Sequence, residues 1–144
     1  MNRMRWIALF MLVGISTAVG YAAGKNGHQG ERVRLINAQD IQEKLDGSEA
    51  RVSVVEVTIG PGEDGTAHYH PGPVFGYVLE GDYELGIDDQ PTKVFRTGET
   101  FYEPTGCLHR VSKNPSAEKK TRLIAVVGHP RDAKELAIPE AKKE

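Results

Sequence analysis

His68 and His70 stand one residue apart, and a third histidine, His109, lies 39 positions beyond His70. Along an extended chain successive side chains point to opposite faces. Positions 68 and 70 therefore project from one face, about 7 Å apart at ~3.3 Å rise per residue. Tyr69 points the other way. For His109 to join them, the fold must lay a distant strand beside the first. A closed or double-sheet β architecture does this, because inward positions alternate along every strand and converge on one cavity.

The rest of the chain reads the same way. Arg51 to Ile59 is rich in β-branched residues, with a phase slip expected at Val54-Val55. Further strands are expected at Thr66–His70, Val74–Glu80, Tyr83–Ile87, Thr92–Arg96, Thr100–Glu103, Cys107–Ser112 and Thr121–Val127, separated by turn signals such as Glu80-Gly81-Asp82 and Asn114-Pro115. Short strands at such spacing argue for a sandwich or barrel and against βαβ units. No internal repeat is present, so one barrel is expected. Arg32 to Asn37 suits a first strand, and Ala38 to Leu45 has the composition of one or two helical turns. The charged stretch from Arg131 to Glu144, interrupted at Pro139, is expected to form a short helix or to hang free.

The histidines sit in two glycine-led blocks. Gly62 is followed after five residues by His68-Tyr69-His70, then by Pro71-Gly72-Pro73-Val74 and, six residues on, Gly81. Gly98 is followed after five residues by Pro104-Thr105-Gly106-Cys107-Leu108-His109. This pattern resembles the two motifs of the cupin superfamily: G, five residues, H-x-H, three or four residues, E, six residues, G; and G, five residues, P-x-G-x-x-H, three residues, N. The resemblance implies an all-β fold, a single cupin barrel (double-stranded β-helix, or jelly roll) over 33–128, of the small exported bacterial type. It also implies one divalent metal ion, Fe, Mn, Ni, Zn or Cu, held by His68, His70 and His109.

Two positions depart from the pattern. The motif's glutamate falls on Val74, or on Phe75 with the longer spacer, and neither side chain binds metal. The asparagine expected at 113 is Lys113, with Asn114 one place late. Three imidazoles remain a workable set, since imidazole suits Zn, Cu, Fe and Ni and catalytic sites keep open positions. Glu103 either supplies the missing fourth ligand, directly or through water, or pairs with Arg110 or Arg96, or reaches solvent at the barrel mouth. A buried carboxylate there needs a partner. Cys107 shares parity with His109 but reads better as a small buried hydrophobe. Phe75, Tyr77 and Tyr102 are candidate pocket residues, the two tyrosines because buried hydroxyls need partners. His28 and His129 read as surface or capping residues.

Arg3 and Arg5 precede an apolar run from Trp6 to Val19, followed by Gly20, Ala22 and Ala23. That is the form of a secretory signal peptide over 1–22, with a membrane anchor as the alternative, although the run is shorter than the ~20 residues that span a bilayer. A flexible linker over 23–32 follows, and a charged tail over 129–144 closes the chain. The exported chain would carry 16 basic against 20 acidic side chains, about −4, which disfavours nucleic acid. With Cys107 its only cysteine, it forms no internal disulfide. The expected setting is periplasmic or extracellular, with the membrane involved only in export. The expected partners are a small-molecule substrate or ligand and a second copy of the chain, paired through Arg32–Asn37. Metal-dependent chemistry on a small organic molecule, of dioxygenase, isomerase or lyase type, and non-catalytic binding of a metal or small ligand both suit the fold.

Overall fold

The computed structural model describes residues 30 to 140; the signal peptide expected over 1–22, most of the expected linker with His28, and residues 141 to 144 lie outside them. Ten strands account for all regular structure among the described residues: β1 (Arg32–Leu45), β2 (Ser48–Ile59), β3 (His68–Tyr69), β4 (Val74–Glu80), β5 (Asp82–Ile87), β6 (Lys93–Arg96), β7 (Thr100–Glu103), β8 (Leu108–Lys113), β9 (Thr121–Pro130) and β10 (Ile138–Pro139). They form two five-stranded antiparallel sheets, in the orders β1-β2-β9-β4-β7 and β10-β3-β8-β5-β6.

The core follows from strict alternation. On β2, Ser53, Val55, Val57 and Ile59 are buried while their neighbours are partly exposed, and on β9 every second residue from Thr121 to His129 is buried. The phase slip expected at Val54-Val55 is absent. Packed against these rows are Val74 and Val78 of β4, Leu85 and Tyr83 of β5, and Phe101 of β7. Burying a side chain of this size contributes roughly 1.5 to 3 kcal/mol. Gly76 pairs with Phe101 across β4 and β7, and a Cβ at position 76 would collide with the Phe101 ring. Gly81 turns β4 into β5 at φ 78°, a backbone region that favours glycine.

The chain ends depart from expectation. Ala38 to Leu45 is not helical: it continues β1 as a strand, paired with β2 from Arg32↔Thr58 to Leu45↔Ser48 around irregularities between Leu35 and Asn37 and between Asp40 and Lys44. Pairing of Ala38–Asp40 and of Lys44–Leu45 with β2 outweighs the helix-favouring composition of the segment. The C-terminal stretch is neither helical nor free. Ile138 and Pro139 pair with Tyr69 and His68, so β10 becomes the edge of the second sheet and draws Leu136 against the core.

Candidate metal centre

Pairing of β3 with β8 sets His68 directly opposite His109, and His70 follows at the end of β3. The three residues each offer a ring nitrogen, and these nitrogens lie within 4.8 Å of one another. Each ring is oriented by a main-chain carbonyl. His68 Nδ1 donates to Thr66 O at 2.7 Å, His70 Nδ1 to Leu136 O at 2.6 Å, and His109 Nε2 to Val111 O at 3.0 Å. A carbonyl only accepts, so each of these nitrogens carries the proton and the other ring nitrogen presents a lone pair. The Tyr83 hydroxyl lies 3.1 Å from His109 Nε2 and donates to Ser112 Oγ at 3.2 Å.

The lone pairs face one another. His68 Nε2 and His70 Nε2 are 3.0 Å apart, which is unfavourable for two acceptors without a cation between them. Burial holds the pKa of His70 down at about 4, and that of His109 at about 3, with the neighbouring His68 adding to both effects. Both rings are therefore neutral near pH 7, the form in which imidazole ligates a metal.

Glu103 completes the arrangement. It is 2% exposed, with Oε2 3.2 Å from His109 Nδ1 and 3.6 Å from His70 Nε2. No arginine pairs with it among the described residues; Arg110 donates instead to the carbonyls of Asp88 and Gln90. Glu103 Oε2 and His109 Nδ1 are buried without a hydrogen-bond partner. Burial, with a lesser contribution from Glu31, raises the Glu103 pKa to about 8. Orphaned acceptors converging on one point, each imidazole held by a backbone carbonyl, fit a divalent cation.

The centre opens into a cavity of about 420 Å³ whose walls include Val55, Val57, Leu123 and Val127. Val74 lines it, whereas Phe75 is 58% exposed, so the shorter motif spacer is the one the fold uses. Glu103 lies directly across β4 and β7 from Val74. The displaced asparagine has a local cause. Ile87 pairs with His109 and Gly86 with Val111, which leaves Arg110 as an extra residue in β8 and pushes the following positions one place along. Asn114 is fully buried and donates to the carbonyls of Gly60 and Lys119.

Other candidates fall elsewhere. Phe75, Tyr77 and Tyr102 are exposed and line a shallow groove on the outside of the first sheet, with Phe75 and Tyr102 in ring contact at 5.0 Å. They do not enter the histidine cavity, because the inward places beside them are taken by Val74, Gly76 and Phe101. Cys107 is buried but absent from the cavity wall, and burial first, then the charge of Glu103, pushes its thiol up to about 11, which keeps it inert. His129 is not at the surface. It is 2% exposed, its Nδ1 donates to Pro130 O and its Nε2 accepts from Ser53. Two cavity residues escaped the sequence reading: Tyr83, which shares its inward parity with Leu85, and Glu31, whose carboxylate accepts from Ser112 Oγ at 3.1 Å.

Residues 55–127 match the cupin domain family. The chain belongs to that family. Solved structures agree on the architecture. This cupin is similar to an uncharacterized conserved protein with a double-stranded β-helix domain from Klebsiella pneumoniae, at 16% identity over 81% of this chain and 90% of that one (TM-score 0.59). It is also similar to KdgF from Halomonas sp., at 20% identity over 75% and 86% of the two chains (TM-score 0.55). A recombinant oxalate oxidase in complex with glycolate is 25% identical over 73% of this chain and 54% of its own length (TM-score 0.53). No curated protein matches the cupin.

Proposed function

We propose that this cupin binds one divalent metal ion through His68 Nε2, His70 Nε2 and His109 Nδ1, with Glu103 as the fourth group, and acts on a small organic molecule in the adjoining cavity. The observation that carries this reading is the orientation of the rings: three backbone carbonyls fix three protons outward, so three lone pairs face one another, two of them beside the Glu103 carboxylate. The chemistry such an ion supplies is either O₂ activation beside an organic substrate or Lewis-acid polarisation of a carbonyl or water.

The chain's own residues supply the rest. The aliphatic walls exclude water and strengthen every electrostatic contact inside. Glu103 sets Oε2 beside His109 and His70, where its carboxylate would offset part of the ion's charge and fix both rings. Tyr83 holds the orientation of His109. The likeness to oxalate oxidase supports the redox branch in chemistry, while its ligand transfers poorly, because Glu31 and Glu103 line this cavity and would repel a carboxylate. Arg3 and Arg5 before the apolar run support export to the periplasm or beyond.

The test is substrate loss and oxygen consumption, measured together, for protein loaded separately with Fe(II), Mn(II) and Zn(II) against a panel of small organic compounds. Turnover restricted to the redox-active loadings supports oxygenase or oxidase chemistry, and turnover with Zn(II) supports the Lewis-acid branch. No turnover with any loading, with the metal still bound, leaves a non-catalytic binder.

A further inference from the structure

Glu31 precedes β1 and reaches into the cavity between Gly65 and Ser112. Its seat is built. The Ser112 hydroxyl donates to its carboxylate at 3.1 Å, and Gly65 leaves the space it fills, since a Cβ at position 65 would run into that carboxylate. Gly65 is itself held by its N–H, which donates to Ser112 O at 2.7 Å. Burial raises the proton affinity of Glu31 above the ordinary carboxylate range, partly offset by His68 and by the Ser112 bond.

Among the described residues no ion pair to Glu31 forms, and the cavity wall contains Glu31, Asp64 and Glu103 but neither lysine nor arginine. A carboxylate partly withdrawn from water, with a single hydroxyl donor and no cation, is costly. The Glu103 carboxylate is engaged at the histidines, where it offsets part of a divalent charge. Glu31 lies outside the group of nitrogens that share a cation, so its charge is left to whatever else enters. Away from the histidines and Thr66 the remaining walls are mainly apolar, with Val55, Val57, Phe101, Leu123 and Val127, and suit an apolar body.

We propose that Glu31 is the substrate-recognition carboxylate of this cavity, and that the small organic molecule taken there carries a positive charge on an apolar frame. The proposal rests on the reading of the cavity as a substrate site beside the metal. Charge selection is by Glu31, and Gly65 and Ser112 position it.

Two probes of the same shape test it: choline and its uncharged carbon isostere, 3,3-dimethylbutan-1-ol. A quaternary ammonium cannot ligate a metal through nitrogen, so the comparison reports the cavity charge alone. Binding of each is measured by calorimetry to the full chain at neutral pH and fixed ionic strength, with metal content determined on the same samples. The expected result is at least tenfold tighter binding of choline, with the preference lost in Glu31→Gln at unchanged metal content. Gly65→Ala keeps the charge but displaces the carboxylate, and is expected to reduce the preference as well. Equal binding of the two probes by the unsubstituted protein, or an unchanged preference in Glu31→Gln, overturns the proposal. Loss of metal from every sample, with the choline preference intact, would count against the metal reading alone.

Discussion

Glu103 lies directly opposite Val74 in the antiparallel pair of β4 and β7, both side chains facing the histidine cavity. Val74 occupies the motif's glutamate position, so the carboxylate has moved across one strand pair while keeping its direction. Residues directly opposite in such a pair have Cβ atoms about 4.5 to 5.5 Å apart, a separation that a glutamate side chain spans.

Glu103→Gln is accordingly expected to weaken metal affinity by ~10 to 100-fold, the usual loss when a supporting partner is removed. Val74→Glu introduced into that variant should recover most of the affinity, because it restores a carboxylate to the same wall from the facing strand. Competitive titration with a chromophoric chelator reads both effects. Unchanged affinity in Glu103→Gln would assign the carboxylate no part in metal binding.

Much of this site was legible because strand parity and two spaced blocks dictate it. His68, His70 and His109 needed only alternation and a neighbouring strand. The same parity argument separates Val74 from Phe75, and Phe101 and Glu103 from Tyr102. Tyr77 and Tyr102 drew attention through the needs of their hydroxyls, yet exposure to water satisfies those needs, whereas Tyr83 meets its own inside against His109 and Ser112. Glu31 was hidden by its polar, glycine-rich surroundings, which carry no periodic signal. The strand character of Ala38 to Leu45 depends on pairing with β2, a tertiary effect that local composition does not report.

Tyr83→Phe preserves the ring contact with Phe101 at 5.1 Å and removes only the hydroxyl between His109 and Ser112. The expected cost is about 1 kcal/mol of stability, the worth of an ordinary buried hydrogen bond, with a several-fold loss of metal affinity as His109 gains freedom. Thermal melts of metal-free and metal-loaded protein check this; an equal loss in both forms would mean that the hydroxyl serves packing and not the ligand.

The metal-free protein should lose stability as pH rises from 6.5 to 8. His70 and His109 titrate at about 4 and about 3 in the fold against an ordinary 6.5, so the unfolded chain takes up protons first and their contribution to stability falls as pH drops below 6.5. Glu103 titrates at about 8 against an ordinary 4.5, so the unfolded chain releases its proton first and its contribution falls as pH rises from 4.5 to 8. Between 4.5 and 6.5 the two histidines are opposed by Glu103 and by Glu31, whose proton affinity burial also raises, and above 6.5 only the carboxyls act. Each group contributes about 1.4 kcal/mol per pH unit within its window. Melting temperatures from pH 4.5 to 8.5 test the shape, and Glu103→Gln should flatten the alkaline limb; a limb unchanged in that variant would contradict the assignment.

Among the described residues β1 pairs only with β2, leaving a 14-residue edge on which Val33, Leu35 and Ile36 are exposed. A long apolar edge invites pairing with another chain. A dimer through Arg32–Asn37 is the proposal, checked by light scattering at high micromolar concentration, where Ile36→Lys should shift the population toward monomer. A monomer at every concentration would contradict it.

The most direct measurement is the metal content of protein purified from its native compartment beside His109→Ala, which removes the ligand that faces both His68 and Glu103. The account predicts about one transition-metal ion per chain in the former, by the affinity of an imidazole set, and none in the variant. Full retention of metal by His109→Ala, or a natural protein that neither carries nor takes up a divalent transition metal, would contradict it.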